Sequence, residues 1–148
     1  MFRGCFEHAI DDKGRLSIPA KFRDALTSAF TPPLHLTFSL DTPSLVAYPS
    51  DEWRELEAKL NALPAFDPAA QKFRRTVYAA AQECPLDRSG RVLVPSTLRT
   101  YAGLERNVVV AGMGKKFEIW DKDRYDGMMG EVMENPAEMA AAMGGLGL

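Results

Sequence analysis

Hydrophobic and polar residues alternate most clearly between Leu34 and Leu40. Leucine or phenylalanine takes every second position of this segment, and polar residues fall between them. Because the side chains of a strand point alternately to its two faces, the pattern predicts a strand with one buried face. Less regular runs predict further strands at 2–10, 16–18, 45–48, 84–86, 92–94, 108–110 and 117–120.

Apolar residues at helical spacing predict helices between these strands. A short helix follows Pro19 and stops before the proline pair at 32–33. Ser50 is predicted to cap a second helix, which has acidic residues in its first turn and ends before Pro64. The first half of the chain is therefore predicted to mix strands and helices.

A third helix is predicted to join the two halves of the chain. Asp67 followed by Pro68 indicates its start, since aspartate caps helices and proline suits their first turn. Phe73, Val77 and Ala81 are predicted to face inward from it.

The second half repeats this plan in a shorter form. A helix at 96–102 is predicted to end at Gly103, and another to begin after Asp121. The tail from residue 135 is predicted to form at most a single helical turn.

Two short segments of the chain are alike, DDKGRLSIPAKFR at 11–23 and DRSGRVLVPSTLR at 87–99. They share an aspartate, a glycine-arginine pair, a proline and a final arginine at matching positions. The likeness continues outward on both sides, which indicates an internal repeat with one shared core. We divide the chain into a first repeat at 5–53, a helical connection at 54–80, a second repeat at 81–125, and a C-terminal helix and tail at 126–148.

The repeated Asp-x-x-Gly-Arg pattern predicts a tight hairpin. A three-residue loop that ends in Gly14 requires the positive φ that glycine adopts easily, and it places Asp11 opposite Arg15 across the strands. The second copy repeats these positions with Asp87, Gly90 and Arg91. Taken alone, such a pair is an exposed ion pair worth about 0–1 kcal/mol.

Charge is distributed unevenly along the chain. The whole sequence has 18 Lys and Arg against 20 Asp and Glu and a pI near 5.7, which argues mildly against a nucleic-acid partner. Both repeated segments nevertheless carry more cations than acids, so positive charge is concentrated at the hairpins. Such local clusters of positive charge, or the presence of many of them in an oligomer, would allow nucleic-acid binding despite the acidic pI.

Several classes of function find no support in the sequence. The glycines and lysines at 110–116 do not have the spacing of a phosphate-binding loop, and a strand follows them. Adjacent acids at an exposed turn lack the burial that would separate their pKa values for acid-base catalysis. We therefore predict no enzyme, no cofactor and no small-molecule substrate.

The cysteines and the first residues of the chain bear on metal binding, disulfide formation and cellular location. Cys5 and Cys84 do not form a C-x-x-C pair, so we predict neither a metal site nor a disulfide. No apolar run is long enough to span a membrane, and the first residues lack the apolar core of a signal peptide. The expected location is the cytoplasm.

The sequence resembles the MraZ family of bacterial transcriptional regulators, which is related to the AbrB and SpoVT type of DNA-binding domain. The resemblance covers about residues 1–126 and is carried by the segments Met1 to Gly4, Asp12 to Arg23, Tyr101 to Leu104 and Phe117 to Asp121. It implies an α+β fold with a pseudo-two-fold, swapped-hairpin β-barrel made from the two repeats. It also implies homo-oligomeric rings, of the octamer or dodecamer type.

The resemblance further implies a function. Rings of this family bind double-stranded DNA at short direct repeats in the promoter of the division and cell-wall gene cluster, which includes the regulator's own gene. We therefore expect a nucleoid-associated regulator that represses its own operon.

The family's Asp-x-x-x-Arg motif falls on Asp11 and Arg15, and again on Asp87 and Arg91. An arginine held rigidly at a hairpin tip can donate a bidentate fork to guanine, and nearby cations can contact phosphates without reading sequence. The predicted DNA-binding set is Arg15, Asp11, Lys13, Gly14, Arg91, Asp87, Arg88, Arg3 and Lys21.

Two other functions are weighed against this hypothesis. In a structural or interaction protein, the hairpins would serve subunit assembly and partner binding only. An AbrB-like antitoxin would need a long disordered tail to wrap a toxin, and the tail here is short and weakly charged.

Overall fold

The computed structural model describes all residues from 1 to 148 and has eight strands and six helices. The strands are β1 (Cys5–Ala9), β2 (Arg15–Ser17), β3 (Leu34–Phe38), β4 (Leu45–Pro49), β5 (Gln82–Cys84), β6 (Arg91–Leu93), β7 (Asn107–Gly112) and β8 (Phe117–Asp121). The helices are α1 (Ala20–Ser28), α2 (Ser50–Asn61), α3 (Pro68–Ala80), α4 (Ser96–Ala102), α5 (Lys122–Glu134) and α6 (Pro136–Gly145).

Six strands form one antiparallel sheet in the order β1-β7-β8-β4-β3-β5, and each half of the chain contributes three of them. The outer strand of each half pairs with the other half: β1 lies against β7, and β5 lies against β3. Exchanging equivalent strands of the two halves leaves this order unchanged, so the sheet has pseudo-two-fold symmetry.

The remaining strands, β2 and β6, pair antiparallel with each other and form a separate two-stranded ribbon. The sequence predicts that each returning strand forms a local hairpin with the strand before it. That prediction is wrong for the strand pairing. The only bridge between β2 and the segment before it joins Ile10 and Leu16. The turns form as predicted, but the returning strands pair across the two halves.

The predicted α+β class is confirmed. A closed barrel is not seen, because β1 and β5 are the two edges of the larger sheet and do not pair with each other.

The core lies between the larger sheet, the ribbon and helices α1 and α4. One cluster of 20 buried residues includes Leu16 and Val92 from the ribbon together with residues of both halves. Phe2 is 1% exposed and packs its ring against those of Phe22 and Phe117, with centroids 5.1 Å apart in both pairs. The two halves therefore share one core, as the repeat predicts.

Three of the predicted helix ends form, and one does not. The carboxylates of Asp67 and Asp121 accept hydrogen bonds from backbone N–H groups of α3 and α5, and Gly103 ends α4 with a φ of 62°. Ser50 does not cap α2. It is the first helical residue, and its hydroxyl donates to the carbonyl of Pro33 instead.

The inward face of α3 and the C-terminal tail also differ from the predictions. Val77 is buried, but Phe73 is 38% exposed, because α3 packs on β3 with only part of its apolar stripe. The tail forms the ten-residue helix α6 rather than a single turn, and none of its residues is buried. Alanine and methionine favour the helical conformation, and α6 also contacts α5.

No helix combines the length and the hydropathy needed to cross a membrane. His, Cys, Asp and Glu side chains nowhere gather in groups of three or more that could hold a metal ion.

Candidate nucleic-acid interface

The first hairpin tip, residues 11–15, is built around the carboxylate of Asp11. Its Oδ1 accepts hydrogen bonds from the backbone N–H groups of Lys13 and Arg15, at 3.0 and 2.9 Å. Its Oδ2 accepts a hydrogen bond from Arg15 Nε at 2.6 Å. Gly14 has a φ of 81°, which lets the chain reverse within this short loop.

The second hairpin tip, residues 87–91, has the same geometry. Asp87 Oδ1 accepts hydrogen bonds from the backbone N–H groups of Ser89 and Arg91, at 2.8 and 2.9 Å. Arg91 Nε donates to Asp87 Oδ2 at 3.0 Å, and Gly90 has a φ of 75°. Both predicted Asp–Arg pairs and both positive-φ glycines are confirmed.

These pairs leave the terminal nitrogens of both guanidinium groups without a hydrogen bond, although Arg91 Nη1 lies 4.0 Å from Asp11 Oδ2. The carboxylate engages only Nε, and neither terminal nitrogen of Arg15 or Arg91 donates a hydrogen bond within the protein. Because its other oxygen is occupied by backbone N–H groups, the carboxylate stays in place rather than following the guanidinium. Each aspartate therefore fixes its arginine while leaving the two Nη groups available as a fork.

The hydrogen bonds also shift the acidity of the two carboxyl groups. The pKa of Asp11 lies below its ordinary value, chiefly because the backbone N–H of Arg15 donates to the charged form. The pKa of Asp87 is lowered for the same reason by the backbone N–H of Arg91. Both aspartates therefore remain ionised well into the acidic range.

The ribbon brings the two tips together on one surface. In its register Arg15 faces Leu93, Leu16 faces Val92, and Ser17 faces Arg91. Leu16 and Val92 point into the core, so the alternate positions, including both arginines, lie on the outward face. The two arginines occupy diagonal positions there, and Arg91 Nη1 lies 4.0 Å from Asp11 Oδ2. The repeated motif thus forms one cluster rather than two separate sites.

Each tip is supported by a helix that follows the opposite strand of the ribbon. The Gly14 carbonyl accepts a hydrogen bond from the Val94 N–H, and the Gly90 carbonyl accepts one from the Ile18 N–H, at 2.9 and 3.0 Å. A Cβ on Gly14 would lie 3.0 Å from Arg99 Cζ of α4, and one on Gly90 would lie 2.5 Å from Arg23 Nη1 of α1. The glycines therefore also allow these arginines to pack closely beneath the tips.

The other predicted site residues lie at different distances from this cluster. Lys13 and Arg88 are exposed within the two tips. Lys21 is exposed in the first turn of α1, the helix whose Arg23 packs on Gly90. Arg3 precedes β1, whereas the first tip follows it, so the strand separates them by about 17 Å. Lys13, Lys21 and Arg88 can share a surface with the arginine pair, and Arg3 does not join them.

Four residues at the tips were outside the predicted site. Arg23 and Arg99 end the two repeated segments, and that shared position was a signal for their role beneath the glycines. Ser17 and Leu93 lie on the outward face of the ribbon beside the arginines. No local sequence signal places them there, because the pairing partner of a three-residue strand is set by the rest of the fold.

Fold and site together define an α+β protein whose two halves share one antiparallel sheet and which presents a pair of carboxylate-held arginines on a two-stranded ribbon. The chain belongs to the MraZ family. The family model described as "MraZ protein, putative antitoxin-like" matches it twice, over residues 1–76 and 77–144.

Curated relatives support the same assignment. A protein of Lactiplantibacillus plantarum is 44% identical over 95% of this chain and 96% of its own length. One of Acetivibrio thermocellus is 40% identical over the full length of both chains, and one of Heliobacterium modesticaldum is 46% identical over 84% of each. All three are named "Transcriptional regulator MraZ". These names describe regulation and no reaction, in agreement with the prediction that the chain is not an enzyme.

Proposed function

We propose that this protein is a sequence-specific DNA-binding transcriptional regulator and that the outward face of the β2–β6 ribbon is its reading surface. The observation that carries the proposal is the pair of guanidinium groups whose Nε atoms are held by aspartates and whose Nη groups make no hydrogen bond within the protein. The names of the relatives support the same conclusion.

The dimensions of DNA favour this mode of binding. The major groove of B-DNA admits a two-stranded β-ribbon, and an arginine fork there matches the O6 and N7 atoms of guanine. Each such contact is worth about 1–3 kcal/mol of discrimination against the wrong base. An aspartate beside DNA repels phosphates, so its presence in both tips makes sense if it holds the arginine in the orientation that reads the base.

Cations around the ribbon would fix the position of the protein on DNA. Lys13, Arg88 and Lys21 are exposed near the tips and can reach phosphates on either side of the groove. We assign Arg3 to a phosphate contact further along the DNA, since it lies at the far end of β1. With so few cations, a single subunit should bind weakly and with strong dependence on salt.

An oligomer would overcome this weakness. We propose that subunits assemble side by side into a ring that offers the same ribbon to successive direct repeats, which can raise avidity by about 10²–10⁴. The proposed target is the promoter of the division and cell-wall gene cluster, where binding would repress the protein's own operon at the nucleoid in the cytoplasm. We interpret the cross-pairing of the two halves as a swapped-hairpin arrangement, with repeats at 5–53 and 81–125 flanking the connection at 54–80 and followed by the tail at 126–148.

The variant Arg15→Ala tests the reading surface. We expect it to weaken binding to the DNA upstream of the protein's own gene by about tenfold or more in a gel-shift titration, because one guanine fork is lost per subunit. The matched control is Arg75→Ala, which removes an exposed arginine from α3. Light scattering should give the same mass for both variants.

Two results would argue against the proposal. Unchanged affinity and sequence preference in Arg15→Ala would show that the ribbon does not read DNA. A change of mass without a specific loss of DNA binding would favour the alternative in which the tips serve subunit assembly.

A further inference from the structure

The outward face of the ribbon carries an exposed leucine directly opposite Arg15. Four side chains lie on this face: Arg15, Ser17, Arg91 and Leu93. Leu93 is 59% exposed, whereas Leu16 and Val92 on the other face are fully buried. Exposed leucines are common on protein surfaces, but this one is placed among the groups that are proposed to enter the major groove.

Leu93 also breaks the symmetry of the ribbon. The repeat relates Arg15 to Arg91 and relates Leu93 to Ser17. The backbone of the ribbon is therefore nearly symmetric, but one corner of its outward face carries a hydroxyl group and the other an isobutyl group. A surface of this kind offers different chemistry to the two ends of the site that it covers.

The major groove has one apolar feature that a leucine can recognise. Thymine presents its 5-methyl group there, and the other bases present only hydrogen-bond donors and acceptors. We propose that Leu93 is a specificity-determining residue that packs against a thymine methyl group next to the base pair contacted by Arg15. This inference rests on the proposed function, because it takes the ribbon as the DNA-reading surface.

The arrangement explains why direct repeats would suit this protein. A ribbon with identical corners would read both directions of a site equally well. With Leu93 at one corner and Ser17 at the other, each subunit prefers one orientation on the DNA. Subunits that are arranged side by side in the same orientation then match repeats that run in the same direction.

The contact can be tested by removing the methyl groups from the DNA. The probe is the duplex upstream of the protein's own gene, amplified with either thymidine or deoxyuridine triphosphate, so that the two forms differ only in the 5-methyl groups. We expect the wild-type protein to bind the uracil form about threefold to tenfold more weakly, since burying one methyl group gives a factor of this size.

The variant Leu93→Ala identifies the residue that senses the methyl group. It should bind the thymine form more weakly than the wild-type protein and should bind both forms with nearly equal affinity. The control Leu63→Ala, which shortens an exposed leucine after α2, should keep the wild-type preference. Since Leu93 is exposed, the variant is expected to fold, and circular dichroism and light scattering check its fold and mass.

A second variant, Leu93→Ser, tests whether the apolar character of residue 93 matters. Leu93→Ser makes the two corners chemically alike, and we expect it to lose the preference for thymine and to weaken the preference for direct over inverted repeats. If Leu93→Ala keeps the wild-type ratio between the two DNA forms, the inference is wrong. A changed mass with an unchanged ratio would overturn it as well and would place Leu93 in a subunit contact.

The proposed function is tested separately from this contact. Should Leu93→Ala behave like the wild-type protein while Arg15→Ala loses binding, the ribbon still reads DNA and only the thymine contact fails. Should Arg15→Ala also bind normally, the reading surface itself is wrong.

Discussion

The two hairpin tips share one backbone plan, but their supporting arginines differ. Beneath the first tip, Arg99 Nε donates to the carbonyl of Val94 at 3.0 Å. Beneath the second tip, Arg23 Nε is buried and has no hydrogen-bond partner. An unpaired buried donor costs free energy, so the second tip is held less favourably than the first.

The carboxylates of the two tips differ as well. Asp87 pairs only with Arg91, whereas Asp11 pairs with Arg15 and also lies 4.0 Å from Arg91 Nη1. Asp11 is therefore the one carboxylate that both guanidinium groups share. The repeat preserves turn geometry and the positions of the arginines, and the side chains around them have diverged.

This divergence shows how a protein with an internal repeat can recognise an asymmetric DNA site. The backbone symmetry places two arginines at equivalent positions, and the residues that differ between the copies give the surface a direction. Asp12 and Lys13 of the first tip correspond to Arg88 and Ser89 of the second. Charge is thus also distributed unequally between the two ends of the ribbon.

The largest expected losses of stability at the tips come from adding a Cβ to their glycines. Gly14→Ala should destabilise the protein by about 1–2 kcal/mol through its positive φ. Gly90→Ala should cost more, about 2–3 kcal/mol, because the new Cβ would overlap Arg23 Cδ and lie 2.5 Å from its Nη1, so that the side chain must move. Urea unfolding at one protein concentration measures both values.

Gly127→Ala is the matched control for the glycine variants. Gly127 lies within α5 with no neighbouring atom within 4 Å of an added Cβ, so alanine should stabilise the protein slightly. Equal losses in Gly14→Ala and Gly90→Ala would show that close packing of Arg23 does not distinguish the tips.

The features of the tips that could be predicted from the sequence are local. Asp-x-x-Gly-Arg determines a turn in which the aspartate meets backbone N–H groups and the arginine, and the glycine takes a positive φ. The caps at Asp67 and Asp121 are local in the same sense. Ser50 shows where such reasoning stops, because the loop at Pro33 offers its hydroxyl a tertiary acceptor that no short pattern encodes.

Strand pairing and the outward face of the ribbon could not be predicted in the same way. A three-residue strand carries too little pattern to specify its partner, so the sequence predicts β2 and β6 as parts of local hairpins. In the run Val92, Leu93 and Val94 all residues are apolar, and periodicity cannot tell which of them faces solvent. Only the paired structure identifies Leu93 as a surface residue of the candidate site.

A smaller total loss of stability is expected from replacing the two supporting arginines. Arg99→Met removes a hydrogen bond from a charged donor and should cost about 1.5–3 kcal/mol. Arg23→Met keeps most of the packing volume and removes a buried donor that has no partner, so its effect on the free energy of unfolding should be near zero. Urea unfolding of the two variants measures the difference. A larger loss in Arg23→Met than in Arg99→Met would reverse the comparison.

The smallest expected difference concerns the response of the two carboxylates to acid. The pKa of each is lowered in the folded protein, mainly by the backbone N–H of Arg15 for Asp11 and by that of Arg91 for Asp87. The unfolded chain therefore takes up protons first as the pH falls. Each carboxylate stabilises the folded state above its ordinary pKa of 3.8, and this contribution is lost as the pH falls through the lowered folded value.

Replacing each carboxylate with an amide separates their contributions. Urea midpoints compared at about pH 5 and about pH 3 should fall less in Asp11→Asn and Asp87→Asn than in the wild-type protein, because each variant lacks one group that protonates. The acid-induced fall of the urea midpoint should be smaller in Asp11→Asn than in Asp87→Asn, since Asp11 lies beside two guanidinium groups. The control is Asp12→Asn, which alters an adjacent carboxylate that makes no hydrogen bond and no ion pair. If Asp11→Asn loses as much stability in acid as the wild-type protein does, the ionised carboxylate of Asp11 does not stabilise the folded protein.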